Sequence, residues 1–332
     1  MSEEKDKKKE EIDEVMEEMQ AETSRKRPNV VHDEIDVKGQ FSKVVAKIFQ
    51  PSRKKSTSKI SKPTKERYYD PAFKRFGIAV IFNQITFSGM DKRSGTRKDA
   101  EDLSNVLEKI GFEVEVWEDF TTKQIRNKLI SLSESDHSDC YCLLVTLMTH
   151  GDEDGQVYSR DGEFNVQELW ENFLGENCES LVTKPKLFFV QACRGRMVDP
   201  GVIFKPQPKL RMMRMSDTVD AQNVEPDYYV LPSMADILVM YSTSEGYYSF
   251  RNPSEGSWFI QALCQELSEN LECDLMTILT GVNRSVAFAK QSNVPNSSYH
   301  EMKQMPCILS MLTKTMYLKI SERFLEDQLE NA

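Results

Sequence analysis

Two periodicities alternate along the middle of the chain. Short, nearly continuous apolar runs occur at residues 76–82 (FGIAVIF), 142–149 (CLLVTLMT), 187–191 (LFFVQ) and 237–241 (ILVMY). Each is short and rich in β-branched or aromatic residues, which predicts a strand buried on both faces. Residues 112–117 (FEVEVW) alternate instead and predict a strand with one wet face. Between the runs, apolar residues recur at helical spacing. Ala100, Leu103, Val106, Leu107 and Ile110 lie in one such stretch over 96–110, with Gly111 as its stop signal. Ile125, Leu129, Ile130 and Leu132 mark the next, and Val166, Leu169, Trp170, Phe173 and Leu174 a third. Two more helices are predicted near 257–270 and 275–288, and two closing strands at 307–311 and 315–318. Strands alternating with helices predict an α/β domain built on a mainly parallel central sheet flanked by helices.

Two polar stretches interrupt this pattern. Residues 1–67 are rich in Lys, Glu and Ser and poor in aromatics. Such a segment buries too little apolar surface to offset the entropy of ordering it, so a disordered leader is expected. The second stretch, 197–227, holds Pro200, Pro206, Pro208, Pro226 and four Met with no periodicity. A loop of that length inside a domain reads as an exposed insert. The expected organisation is therefore a leader over 1–67, a body in two parts over 68–200 and 228–318, an exposed linker over 201–227, and a tail over 319–332. No internal repeat is visible.

The formal charge of −10 over 332 residues is unevenly spread. Residues 1–20 carry −5, 21–50 carry +2, and 51–67 (PSRKKSTSKISKPTKER) carry +6, which leaves −13 for residues 68–332. The basic run reads first as a solvated linker, and otherwise as a docking patch for acidic partners or a phosphorylation site around Ser56. The acidic total argues against nucleic acid or anionic membrane as the main partner. The hydrophobic fraction, 39%, is below the roughly 45–50% of ordinary globular chains, as a normal core diluted by polar segments would be. The longest apolar stretch, 142–148, is far short of the roughly 20 residues of a membrane span. The first eleven residues have no apolar core, so no secretory signal is expected. Seven cysteines, with no CxxC pair, read as reduced thiols of a cytoplasmic protein, with neither a disulfide framework nor a zinc site.

Two of the buried strands end in reactive residues. One runs into His150-Gly151-Asp152, the other into Gln191-Ala192-Cys193-Arg194-Gly195. Reactive groups of open α/β sheets collect beyond the carboxyl ends of strands. If these two strands are close in one sheet, Cys193 and His150 form a nucleophile and its proton carrier. Taken alone, a cysteine after a strand is more often a buried thiol than a nucleophile. Cys140, Cys142, Cys264 and Cys307 are expected in the core, and Cys178 and Cys273 near helix ends. His32 falls in the leader, and His137 and His300 are expected at the surface.

The pentapeptide QACRG at 191–195 resembles the active-site signature of the caspases, whose histidine lies about 50 residues upstream. Here His150 precedes Cys193 by 43 residues. RSGT at 93–96, HG at 150–151, GYYSFRN at 246–252, GSWFI at 256–260 and PCILSMLT at 306–313 also resemble motifs of that family, in its order. The similarity covers about 68–318 and is nearest to effector caspases. It implies a caspase-like α/β fold whose large and small subunits come from one chain.

By that resemblance, Cys193 is the nucleophile, and His150 protonates the leaving amine and later activates water. The N–H groups of Gly151 and Cys193 form the oxyanion hole. Arg93, Gln191 and Arg251 line a pocket for an aspartate side chain, which needs paired donors once it leaves water. Tyr248, Ser249 and Phe250 flank the substrate, Phe250 standing where effector caspases commonly carry Trp. Asn252 and Trp258 shape the pocket of a second Asp, four positions back when the cleaved Asp is counted first. The implied activity is a cysteine endopeptidase that cuts after Asp, prefers DxxD motifs and acts in apoptotic proteolysis, with no cofactor and no metal. The alternatives are a catalytically silent caspase-like interaction module and a related peptidase that cuts after basic residues.

Two DxxD tetrapeptides, DEID ending at Asp36 and DTVD ending at Asp220, lie in the segments expected to be exposed. They imply a zymogen whose large subunit runs from about Val37 to Asp220 and whose small subunit starts at Ala221. The leader is shorter and more polar than a recruitment domain of roughly 80–100 residues, which implies an effector activated by another protease. The implied partners are proteins with exposed Asp-containing loops, a second copy in a homodimer with 315–318 near its axis, an initiator caspase upstream, and inhibitor-of-apoptosis proteins.

Overall fold

Apolar runs that alternate between two faces need cover on both, and the chain supplies it. A computed structural model describes residues 67–70, 73–201 and 231–319. Six strands form one sheet in the order β10-β7-β6-β3-β1-β2. They are β1 (Arg75–Asn83), β2 (Phe112–Glu118), β3 (Cys140–Met148), β6 (Lys186–Gln191), β7 (Ile237–Tyr241) and β10 (Cys307–Ser310). All neighbours pair in parallel except β10, which runs antiparallel to β7 at the edge. At Gly77 the backbones of β1 and β3 leave no room for a side chain: a Cβ there would lie 2.3 Å from the Cys142 carbonyl.

Successive strand residues divide between two cores. Ala79, Ile81, Leu144, Phe189 and Met240 pack with α1 (Thr96–Ile110), α4 (Trp258–Glu269) and α5 (Leu275–Ala289). Val80, Phe82, Val145, Phe188 and Val239 pack with α2 (Thr122–Glu134) and α3 (Glu168–Glu171). Side chains fully buried in this way contribute roughly 1.5–3 kcal/mol each. The helix ends carry their own signals. Gly111 closes α1 at φ 115°, in the left-handed region that favours glycine. Thr121 and Gln124 make a capping box at the start of α2. The Ser257 and Asp274 side chains accept N–H groups at the starts of α4 and α5.

Several expectations need correction. The third helix, expected over 166–174, is only the single turn of α3, and a 3-10 segment over Gly175–Leu181 follows it. A small hairpin, β4 (Gln156–Tyr158) with β5 (Glu163–Asn165), precedes it and gave no periodic signal. Residues 315–318 form no sheet strand; Thr315 and Tyr317 make only isolated bridges, to Tyr68 and Asp274. The sheet edge is β10 instead. The insert starts later than 197, because Met197 bridges Tyr247 and Asp199 bridges Lys303. Val116 and Ile130 are exposed, because β2 is the other edge strand and Ile130 lies off the buried stripe of α2. Cys178 is buried and Cys307 only partly so. His137 is fully buried, its Nε2 2.7 Å from the Leu132 carbonyl and its backbone N–H donating to Ser180. The leader up to residue 66, Asp36 and Asp220 lie outside the described residues.

Candidate active site

The register of two adjacent parallel strands brings the reactive residues together. Met148 of β3 pairs with Gln191 of β6, and the Thr149 N–H donates to the Gln191 carbonyl at 2.9 Å. His150 and Cys193 each lie two residues beyond that pair, at one sheet edge. Gly151 then passes against the Cys193 backbone: a Cβ on Gly151 would lie 2.2 Å from the Cys193 carbonyl. Only a glycine lets the two strand ends approach so closely. Gly89, Met90, Asp91, His150, Gly151, Asp152 and Tyr158 line a cleft of about 600 Å³. A second groove, of about 390 Å³ between α4 and α5, contains none of these residues.

His150 is oriented from its far side. Its Nε2 lies 2.9 Å from the Asp91 carbonyl, and its ring packs 4.7 Å, centroid to centroid, from Phe87. A hydrogen bond from Nε2–H to this carbonyl fixes the tautomer and leaves Nδ1 as the unprotonated nitrogen. Burial lowers the imidazole below its ordinary pKa against the opposing pull of the Asp91 carbonyl, and the charges of Arg93 and Arg251 lower it further. Burial pushes the Cys193 thiol up; the Ser249 N–H, which donates to Sγ at 3.4 Å, and the two arginines oppose this only in part. Both shifts favour the uncharged forms, a thiol and a neutral imidazole.

The loop after Cys193 is zipped to residues 246–248. The Arg194 N–H donates to the Tyr247 carbonyl, Gly246 N–H to Arg194, Met197 N–H to Gly246 and Tyr248 N–H to Met197, at 2.7–3.0 Å. Gly195, at φ 148°, lies against Gly246, where a Cβ would come within 2.4 Å of backbone. The pairing presents Ser249, Phe250 and Arg251 beside the thiol. Gln191 Nε2 donates to Ser249 Oγ at 2.8 Å. Phe250 stacks on Trp258, with ring centroids 4.8 Å apart. Tyr248 stands edge-on to Tyr299.

Arg93 is among the largest fully buried side chains of the protein. One terminal nitrogen donates to the Gln84 carbonyl at 3.0 Å and to Thr96 Oγ1 at 2.8 Å. Its Nε and its other terminal nitrogen have no hydrogen-bond partner among the described residues. Unpaired buried donors are costly, and a carboxylate is the group that satisfies such a fork best. Arg251 Nε donates to the Ser94 carbonyl at 2.7 Å, which brings it to the turn that carries Arg93. Burial and the nearby Arg251 lower the Arg93 pKa to about 9. Two guanidiniums placed together give the pocket a cationic character despite that cost, and an acid is the group that offsets it. Asn252 is less committed to a ligand: its Oδ1 accepts from the Ser254 N–H and Oγ and the Glu255 N–H, so its oxygen holds a turn.

The structure brings together Cys193, His150, Gly151, Gln191, Arg93, Arg251, Ser249, Phe250 and Trp258 around this edge. Sequence reasoning missed their supports. Asp91 acts through its carbonyl, for which side-chain patterns carry no signal. The buried amide of Gln304 accepts the Phe250 N–H at 2.6 Å and donates to the Ser242 carbonyl at 2.7 Å, across more than fifty residues of sequence. Asp119 accepts the N–H groups of Ile85 and Thr86 and so holds the loop that carries Phe87. Among the described residues no cluster of His, Cys, Asp and Glu suits a metal ion, and no helix is long and apolar enough to cross a membrane.

Residues 76–317 match the family model described as the caspase domain. The chain is 40% identical over 253 residues to Caspase-1 of Spodoptera frugiperda, covering 75% of this chain and 80% of that protein. It is 40% identical over 253 residues to Caspase-7 of Gallus gallus, covering 75% and 79%. It is 38% identical over 256 residues to Caspase-3 of Bos taurus, covering 76% and 88%. The crystal structure of Caspase-1 from Spodoptera frugiperda is similar to this fold with a TM-score of 0.70 at 37% identity, covering 78% of this chain and 97% of that one.

Proposed function

The chain belongs to the caspase family, a cysteine-type endopeptidase of the effector kind, and from that premise we propose that Cys193 and His150 hydrolyse peptide bonds after Asp held between Arg93, Gln191 and Arg251. The observation that carries the specificity is the buried, half-paired Arg93 guanidinium facing Arg251 beside the thiol. A carboxylate supplies the acceptors that these donors lack.

The proposed steps draw on this geometry. An extended peptide pairs with the backbone of Ser249 and Arg251, with the residue before the cleaved Asp against Phe250. His150 Nδ1 takes the Cys193 proton as sulfur attacks the carbonyl. The N–H groups of Gly151 and Cys193 receive the developing oxyanion. His150 then delivers its proton to the leaving amine, and an acyl-enzyme thioester remains. A water activated by His150 hydrolyses that thioester, which releases the new C-terminus and restores the thiol.

We also propose a DxxD preference, with Asn252 and Trp258 near the second Asp, and activation by cleavage after Asp36 and Asp220. Both cleavage positions are sequence assignments. A homodimer of large-plus-small units is supported by β10, an edge strand with Leu309 and Ser310 exposed. An upstream initiator caspase and inhibitor-of-apoptosis proteins are the proposed partners. A cytoplasmic location is supported by the absence of a disulfide at any of the seven cysteines. The processed protein should turn over an acidic DEVD-type fluorogenic peptide, and Cys193→Ala should abolish this. No turnover by wild type, or undiminished turnover by the variant, contradicts the assignment. Intact mass and N-terminal sequencing after processing test Asp36 and Asp220 together.

A further inference from the structure

Two guanidiniums share the specificity pocket, and each is removed from water. Burial lowers both, and Arg251 lowers Arg93 further. Before substrate arrives, no carboxylate bonds either of them directly: Arg93 bonds Gln84 and Thr96, and Arg251 bonds Ser94. Something else must offset their mutual repulsion and hold them in place.

Asp99 answers both needs. It lies in the first turn of α1, six residues after Arg93, and is fully buried. Its two carboxylate oxygens accept the Ser257 N–H at 2.9 and 3.0 Å, and Oδ1 also accepts Gln261 Nε2 at 3.2 Å. Ser257 is the residue paired with Arg251 in the hairpin of β8 (Arg251–Asn252) with β9 (Gly256–Ser257). The fit is tight on both sides. A Cβ on Gly256, at φ 96°, would lie 2.2 Å from Asp99 Oδ1, and one on Gly95, at φ 85°, would lie 2.7 Å from the Asn252 and Pro253 carbonyls. The hairpin that carries Arg251 is thereby clasped against the turn that carries Arg93, with Asp99 as the clasp.

We propose that Asp99 is a positioning residue for the specificity pocket. Its carboxylate fixes the Arg251 hairpin through Ser257 and supplies the negative charge that lets Arg93 and Arg251 stand together as cations. The Ser257 and Gln261 donors keep that charge behind the pocket, so it balances the guanidiniums without occupying their fork. Asp99 favours the charged form of both arginines, in keeping with this arrangement. Its own pKa is raised by burial, against the donors from Ser257 and Gln261 and the Arg93 charge.

The other groups around it are accounted for. On α1, Lys98 is paired with Asp102 at 2.8 Å, and Asp102 shares Gln261 Nε2 at 3.1 Å. On α4, burial, with Asp102 and Asp99 nearby, pushes the Cys264 thiol up to about 12, so it is neutral. On the pocket side stand Arg93, Arg251, Cys193 and His150. Asp99 is the carboxylate whose charge both arginines sense.

This inference rests on the reading of Arg93 and Arg251 as the aspartate pocket, and the test separates the two. Wild type and Cys193→Ala are first compared on an acidic peptide with Asp at the cleaved position; failure there removes the pocket reading itself. Asp99→Asn is then measured at about pH 7.5 on two peptides that differ only in Asp or Asn at the cleaved residue. Its KM for the Asp peptide should rise about tenfold with kcat within about twofold, because ground-state and transition-state binding of the carboxylate are lost alike. Its preference for Asp over Asn in kcat/KM should fall about tenfold, because the loss falls on the carboxylate contact and not on the neutral amide. Gln261→Met strips one donor but keeps the charge, and should leave that preference within about twofold of wild type. If Asp99→Asn yields no folded protein, Asp99→Ser carries the same comparison. A neutral variant with a lower melting temperature but unchanged KM and Asp preference overturns the proposal. So does a Gln261→Met preference that falls as far as that of Asp99→Asn.

Discussion

Ser249 touches Cys193 through both of its backbone groups. Its N–H donates to Sγ at 3.4 Å, and its carbonyl accepts from the thiol at 3.8 Å. The same residue takes the Gln191 amide on its hydroxyl. The segment proposed to receive substrate and the proposed nucleophile are therefore one hydrogen-bonded unit, and a shift in one is felt by the other.

This environment makes the resting sulfur a thiol. Burial raises it, and the Ser249 N–H and the two arginines offset that only in part. Iodoacetamide alkylation of Cys193 in the free enzyme, followed by peptide mass spectrometry, should have a midpoint above the roughly 8.5 of an ordinary thiol. A midpoint near neutrality would mean a preformed thiolate.

With His150 as the proposed base, the acid side of the rate profile is its titration. Protonated imidazole cannot accept the Cys193 proton, so activity falls as pH drops through its pKa. Burial and the arginine charges lower that pKa. The acid limb of kcat/KM should therefore lie below about 6.5, the ordinary imidazole value, and activity should persist into mildly acid buffer. An acid limb above that value contradicts the assignment.

Arg93→Lys keeps a charge but loses the planar fork. The bonds to Gln84 and Thr96 go, and a single ammonium replaces two unpaired donors. A fall in kcat/KM of about 100-fold or more is expected, roughly 2.7 kcal/mol, most of it in KM. Steady-state kinetics on one acidic peptide measure it; a change of less than about threefold argues that the fork is not the carboxylate site.

Gly195→Ala tests the zipper between the two loops. Its Cβ would strike the Gly246 backbone at 2.4 Å, with no flexible side chain to give way. Loss of most activity is expected, with destabilisation of about 1–3 kcal/mol from overpacking. Peptide turnover and chemical denaturation check both parts. Full activity would show that the Arg194–Tyr247 pairing is dispensable.

Much of this site was legible in the chain because its signals are local. Continuous apolar runs predicted β1, β3, β6 and β7, and Gly111 marked the end of α1 to the residue. His150 and Cys193 stood out because each closes such a run. Signals failed where packing decides. The periodic stretch from Val166 shortened to the one turn of α3, since Leu169, Trp170 and Phe173 bury equally well from a turn and a 3-10 segment. His137 looked like a surface residue and is buried, because the Leu132 carbonyl gives it a partner only in the fold. Asp99 and Gln304 act across about 158 and 54 residues of sequence, respectively, and no local pattern announces such bonds.

The central claim is that a Cys193–His150 pair cuts where Arg93 and Arg251 hold an aspartate. The most direct measurement is kcat/KM for a set of peptides identical except at the cleaved residue, carrying Asp, Asn, Glu or Arg, with wild type and Cys193→Ala. The account predicts efficient cleavage after Asp alone, with Asn, which lacks only the charge, at least about 100-fold slower, and no cleavage of any peptide by the variant. Comparable rates after Asn or Arg, or turnover that survives the loss of the Cys193 sulfur, would contradict it.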